Sequence, residues 1–466
     1  MSADSLPARR WDPMLLLRLL PAAFLACTAY GLPGLGAPFG DHAMLQAGRP
    51  APVWGTASPG EHVTVTFAGQ VLGSTAGDDG RWVVTLAPLE RSSAGADLAV
   101  RGPAGAGAAS HDVVVGDIWL FAGSQLPGDL GRSGETAKAG APAPDPLLRE
   151  YEASPQTGGP PRASPPAPWV AEPGPGRGNL GRIALAFARD IRARVGTPVG
   201  IILCSAGQHP IEAWMSPAAL AGSSGHPWEA GGMPSGSGAP ATLFDALIEP
   251  LLPISVRGVA WDGGEADLGR AAGYSARFRG LIRAWRAHLG DPDLPFLWTQ
   301  LGNAPGGGPG CAMLRQAQGD ALALPGTGQA VTLDLGDETR LSGDDAREIG
   351  RRLALLARAR AYAMTVDDTG PVYSGAAPEG RSMRVRFNTG GEGLTAAGRP
   401  LQAFEVAGAD RVFHPATAAI EGDTVIVRSK AVASPLAVRY AWRDSSPANL
   451  YSGAGLPAAP FRSDDW

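Results

Sequence analysis

Residues Gly116–Gly128 read GDIWLFAGSQLPG. Four consecutive large apolar residues, Ile118 to Phe121, are bounded by Gly116–Asp117 on one side and Gly123 on the other. A short continuous apolar run of this kind reads as a strand buried on both faces. Gly123, Ser124 and, three residues on, Pro127 then mark a tight turn. A buried strand running into a sharp turn is one way a protein presents a nucleophilic serine. The chemistry open to this chain therefore turns on Ser124 and its neighbours.

Working outward, the stretch opens a region, 113–365, in which strand-length apolar runs alternate with helical patterns. The strand candidates are DIWLFAG, PVGIILCSAG, VRGVAWDGG, LPFLWTQLGN and AVTLDLGD. Between them, NLGRIALAFARDIRARVG places Ile183, Ala184, Phe187, Ala188 and Ile191 on one helical face. SARFRGLIRAWRAHLG aligns Phe278, Leu281, Ile282 and Trp285, and DDAREIGRRLALLARARAY aligns Ile349, Leu353 and Leu356. This predicts an α/β fold with a parallel sheet covered on both faces, and chemistry at the carboxyl ends of its strands.

The flanks differ in texture. In 32–112, VTVTFAGQVLG and GRWVVTLAPL alternate apolar and polar residues between Gly and Asp turns, which predicts a small β-sandwich. In 366–466, MRVRFN, TVIVRS and LAVRYAW predict a second β-sandwich or jelly-roll-like module. Three segments, 126–177, 222–241 and 304–310, are rich in Pro, Gly and Ala and poor in large apolar groups, and are expected to be mobile loops.

Residues 1–31 carry Arg9 and Arg10 and then an apolar run from Met14 to Tyr30, which reads as a signal for export. FLAC, ending at Cys27, resembles a lipoprotein processing site, so the expected place of the protein is periplasmic, secreted or lipid-anchored. The chain has 466 residues and a formal net charge of -5, and its only lysines are Lys138 and Lys430, which argues against a nucleic-acid partner. Of three cysteines, Cys204 and Cys311 lie outside this leader; the sequence does not fix whether they pair. Neither a CxxC nor a His/Cys cluster is present, so no metal site is expected.

At this point the chain resembles the sialate O-acetylesterases of the SGNH-hydrolase superfamily. The resemblance rests on FGDHAMLQAGRPAPVWGTASPGE, VVVGDIWLFAG, TPVGIILCSAGQHPIEAWMS, VRGVAWDGGEAD, LRQAQGDALALPGTGQAVTLDLGD, EIGRRLALLARARAY and NLYSGAGLPAAPFRSDDW, in the family's order from Leu32 to Trp466. It implies a flavodoxin-like SGNH core flanked by β modules, no cofactor, and removal of O-acetyl groups from sialic acids. That chemistry needs a serine hydroxyl, a histidine, an aspartate to orient the histidine, and oxyanion donors.

The chain departs from the family at each triad position. The family's first strand ends Gly-Gln-Ser-Asn-Met; here Gly123 is followed by Ser124 and Gln125, so the nucleophile position holds Gln125 and Ser124 is one residue early. The family's Asp-Ile-His-Pro before its last helix corresponds to Arg340, Leu341, Ser342 and Gly343. Arg340 then stands at the aspartate position and Ser342 at the histidine position. Serine is far too weak a base for the histidine's task, and a cation cannot stabilise an imidazolium.

Around the implied oxyanion site, Gly123, Gly207, Gly264 and Glu265 persist and Asp267 stands where the family has Asn. His209, after the second strand, is the candidate for a substitute base, and its ordinary reading is a polar turn residue before Pro210. Asp344 and Asp345 read first as favourable charges at a helix N-terminus. The resulting expectation is a family member that is catalytically impaired or inactive and binds an acetylated glycan or sialic acid. The alternatives are an active carbohydrate acetylesterase with a rearranged site using Ser124, and a structural surface module.

Overall fold

The computed structural model describes residues 32–124, 145–154, 169–171, 179–222, 239–304, 309–336 and 341–466. Its centre is a parallel sheet of six strands: β1 (Gly107–Ser124), β2 (Leu148–Glu152), β3 (Val199–Ala206), β4 (Gly258–Asp262), β5 (Phe296–Thr299) and β6 (Thr327–Ala330). The spatial order is β2-β3-β1-β4-β5-β6, with the short strand Val170–Ala171 added antiparallel outside β2. After β1 the chain passes to the outer strand β2, steps back to β3 beside β1, and then crosses to β4 on the other side of β1. The order therefore reverses at β1, and the crevice beyond its carboxyl end is where an open α/β sheet holds a ligand.

The buried run of β1 is divided between two cores by the period of the strand. Trp119 and Phe121 face helices α1 (Asn179–Val195) and α4 (Gly343–Arg360), while Ile118, Leu120 and Ala122 join a cluster with α2 (Tyr274–His288) and α3 (Gly310–Gly319). The rings of Trp119 and Phe121 meet Phe187 edge-on, with centroids 4.9 and 5.1 Å away. Each such pair contributes about 1 kcal/mol beyond area burial. The apolar faces read from the sequence for α1, α2 and α4 are the faces that pack on the sheet.

Strand β1 is longer than the apolar run alone predicts. Its first half pairs antiparallel with Ser92–Arg101 and parallel with Met44–Gln46; its second half enters the core sheet. One strand thus passes through residue 112 and joins the first β region to the core. A separate sheet of Gly34–Leu35, Ala51–Thr56 and Arg81–Leu86 packs against this region, and one apolar cluster runs from Val53 and Trp82 through to Val259 and Trp298.

Two sequence expectations are corrected. Segment 126–177 is not loop throughout: β2 lies within it and pairs in parallel with β3. Leu148 and Tyr151 are buried, and the buried Arg149 is held by the carbonyls of His42 and Asp112 and by the Asp112 carboxylate at 2.8 Å. Most of the rest of that segment, and most of 222–241 and 304–310, lies outside the described residues. AVTLDLGD contributes only Ala330 to the sheet, and the last core strand is Thr327–Ala330. Beyond it the Thr332 hydroxyl donates to the Gln300 carbonyl at 2.8 Å, and Leu333 enters the core of the C-terminal module.

That module contains two four-stranded sheets and one small two-stranded sheet around a shared core of Val385, Val406, Val425, Val427, Tyr440 and Phe461. Arg315 of α3 fixes it to the core domain. This guanidinium is 1% exposed and donates to the carbonyls of Leu301 and Gly302 after β5 and of Arg443 and Asp444 in the module. Burial pushes its pKa down to about 10.

Candidate active site

The site is built where β1, β4 and β5 end side by side. Gly123 lies opposite Asp262 in the register, and its φ of +144° belongs to glycine. A Cβ there would sit 1.7 Å from the Asp262 carbonyl oxygen. The next residue, Ser124, is the last of β1 and is 6% exposed. Gly263 is closely packed: a Cβ on it would lie 3.0 Å from the Trp261 ring and 3.5 Å from Ser124 Oγ.

Three acids gather after β4. The Asp262 carboxylate takes a hydrogen bond from the Thr299 hydroxyl at the end of β5. Gly264, with φ of +132°, turns the chain into the short helix Glu265–Arg270. The Glu265 Oε2 is buried without a hydrogen-bond partner among the described residues. Burial, with the charge of Asp262 as the next contribution, pushes Glu265 up to about 7; burial pushes Asp262 up to about 6. Both acids therefore hold protons well above the usual carboxylate range.

Asp267 is used elsewhere. It is 1% exposed, and its Oδ2 accepts the Ile211 amide at 3.0 Å while its Oδ1 accepts from Arg270 at 2.7 Å. Arg270 also donates to both oxygens of Glu212, at 2.7 and 2.6 Å. Ile211 and Glu212 belong to the turn after β3, and Asp267 and Arg270 to the turn after β4. The strands on either side of β1 are thus clasped together by their following turns, across the end of the strand that carries Ser124.

His209 is half-buried in the turn after Gly207, and burial lowers its pKa. Gly207 itself is exposed, and a Cβ on it would lie 3.9 Å from His209 Nε2. Among the described residues no hydrogen bond joins Ser124 to an imidazole. Gln125 and Arg340 lie outside the described residues. Ser342 is described, and it is the N-cap of α4. Its Oγ accepts the Asp345 amide at 3.1 Å, and the Asp345 carboxylate accepts the Ser342 amide at 2.8 Å. This reciprocal capping box satisfies donors that a helix start leaves open. Asp344 pairs with Arg347, so both acids fill the helix-terminal role read from the sequence.

The tryptophans of the core strands are packing groups. Trp119, Trp261 and Trp298 are all buried, and Trp261 meets Trp214 and Trp285 edge-on at 5.4 and 6.0 Å. Cys204 and Cys311 are buried free thiols and are not bonded to one another.

Asp262, Thr299 and Gln318 were not singled out by the sequence reading. Asp262 and Thr299 are the polar residues that end β4 and β5, which is the signal that could have marked them. Gln318 carries no such signal. It is fully buried in α3, donates to the Gly263 carbonyl at 3.0 Å and accepts the Leu301 amide at 2.8 Å, tying together the turns after β4 and β5.

Known proteins resemble this chain in sequence and fold. The family described as carbohydrate esterase, sialic acid-specific acetylesterase matches residues 178–358. Sialate O-acetylesterases of Homo sapiens and Pongo abelii are 27% and 26% identical over 411 and 402 residues, each alignment covering 75% of this chain and 75% of the relative. The crystal structure of a carbohydrate acetylesterase from Xanthomonas citri superposes with a TM-score of 0.81 at 37% identity, over 94% of this chain and 100% of that one. The 37% identity over the full length of that structure, together with the family match and the curated relatives, makes the assignment: the chain belongs to the sialate O-acetylesterase family of carbohydrate esterases.

Proposed function

We propose that this protein binds O-acetylated glycans of the sialic acid class, and that the histidine-driven hydrolysis characteristic of its family is strongly impaired in it. The observation that carries the reading is the engagement of Ser342. The position the family resemblance gives to histidine holds a side chain occupied in capping α4, and among the described residues no imidazole is hydrogen-bonded to Ser124. A serine nucleophile without an imidazole base forfeits several orders of magnitude in rate. The substitutions Gln125 and Arg340 in the sequence support the same reading.

The strand order supports a flavodoxin-like core, with 32–112 and 366–466 as flanking β-sandwich or jelly-roll-like domains of one exported chain. The leader-like run and Cys27 support secretion, a periplasmic location or a lipid anchor as its destination.

The test pairs binding with turnover. The full mature chain is applied to an array of sialosides with and without O-acetyl groups, and acetate release from the bound ones is measured. Selective binding of the acetylated forms without multiple turnover is the expected result. Absence of binding to every acetylated glycan would sink the binding half of the reading.

A further inference from the structure

A groove of about 370 Å3 lies between α4 and the C-terminal module, a volume within the range of about 300–1,000 Å3 usual for small-molecule sites. Arg351, Leu355 and Arg358 form its α4 wall, and their spacing of four and three residues sets them along one face of the helix. Thr365 and Asp367, on the link that leaves α4, and Leu456, on a turn of the module, also line it. None of its lining residues belongs to the turns after β1, β4 and β5, so the groove is separate from the candidate active site.

Both guanidiniums hold donors in reserve. Arg351 donates from Nε and Nη2 to the two oxygens of Glu348, each at 2.7 Å, and its Nη1 enters no hydrogen bond among the described residues. Arg358 is the more buried of the two, and the acid paired with it, Asp190 of α1, stays 3.7 Å away, beyond hydrogen-bond reach. Its Nε is buried with no hydrogen-bond partner among the described residues. A guanidinium held so loosely can turn its planar fork to a carboxylate, which accepts two parallel N–H bonds. Asp367 is exposed and forms no ion pair among the described residues, because Arg360, the next cation on α4, is taken by Asp368.

This mixture of groups narrows the ligand. With Glu348 and Asp190 beside the two arginines, recognition rests on directed donors rather than on an excess of positive charge. A bare inorganic anion would meet Asp367 as a like charge. A neutral sugar would leave the guanidinium donors unanswered. A sugar acid satisfies both walls: its carboxylate suits the arginines, its hydroxyls suit Asp367 and Thr365, and its C–H face suits Leu355 and Leu456.

We propose that this groove is a glycan-binding site apart from the strand ends, which takes a carboxylate-bearing sugar through Arg358 and Arg351 while Asp367 and Thr365 accept from its hydroxyls. The inference goes beyond the proposed function and requires nothing of Ser124.

The experiment titrates the full chain with N-acetylneuraminate and with glucuronate, followed by saturation-transfer NMR, with glucose and acetate as controls. Binding of either acid in the millimolar range is expected, and the tighter of the two names the class of sugar acid. It should weaken about tenfold or more in Arg358→Met and in Ala454→Trp, and stay unchanged in Ser124→Ala. Ala454 is an exposed lining residue, so a tryptophan there fills the groove from the module side and keeps the test valid if Arg358→Met fails to fold. Absence of binding by both acids, binding undiminished in Ala454→Trp, or glucose or acetate binding as tightly as the acids would overturn the site. Acetylated-sialoside binding that survives Ala454→Trp leaves the proposed function standing whatever the groove does.

Discussion

Ser342 and Asp345 cap the last helix reciprocally: each accepts the other's backbone amide, at 3.1 and 2.8 Å. The position that the family resemblance assigns to a catalytic base is therefore a structural device in this chain. Ser342→Ala should lower stability by about 1 kcal/mol, the usual worth of an N-cap, and leave any acetyl-ester chemistry unchanged. Thermal unfolding and ester hydrolysis measured on the same preparation check both halves.

Glu265 and Asp262 make stability depend on pH in a direction opposite to most carboxylates. Each keeps its proton in the folded chain to a higher pH than in the unfolded chain, near 7 and 6. Between the ordinary carboxylate range and about 7, the folded state binds more protons, so its stability falls as pH rises. Denaturant unfolding of wild type and Glu265→Gln at about pH 5 and about pH 8 isolates it: the variant should show the flatter dependence.

Much of this architecture is legible in the sequence, and the exceptions share a cause. Helices α1, α2 and α4 each carry an unbroken apolar face, so periodicity finds them. Helix α3 escapes because its buried side includes Arg315 and Gln318, whose burial is compensated only by carbonyls and an amide from distant loops. Strand β2, LREYE, reads as polar because the partners of its buried Arg149 lie more than a hundred residues away for His42 and 37 away for Asp112. The run AVTLDLGD looks like a strand, yet Leu333 is drawn into the C-terminal core. At the site, the SGDD run announces its cap, whereas the clasp of Glu212, Arg270 and Asp267 depends on two turns that only the fold brings together.

The Arg315 link predicts a domain-level effect. Arg315→Met would strip the carbonyls of Leu301, Gly302, Arg443 and Asp444 of their common donor while they remain buried or partly buried. A loss of about 3 kcal/mol or more is expected. Limited proteolysis should then cut between the core and the C-terminal module in the variant under conditions that leave wild type whole.

Steady-state acetate release from an O-acetylated sialic acid by the wild-type chain tests the loss of the histidine base most directly. A working esterase turns over at about 10 per second, and loss of the histidine base costs roughly three orders of magnitude or more. The predicted result is a kcat at or below about 0.01 per second, in a chain that still binds the substrate. A kcat near about 10 per second would contradict it, because it would require an efficient base for the nucleophile that the arrangement of Ser124, Glu265 and Ser342 does not supply.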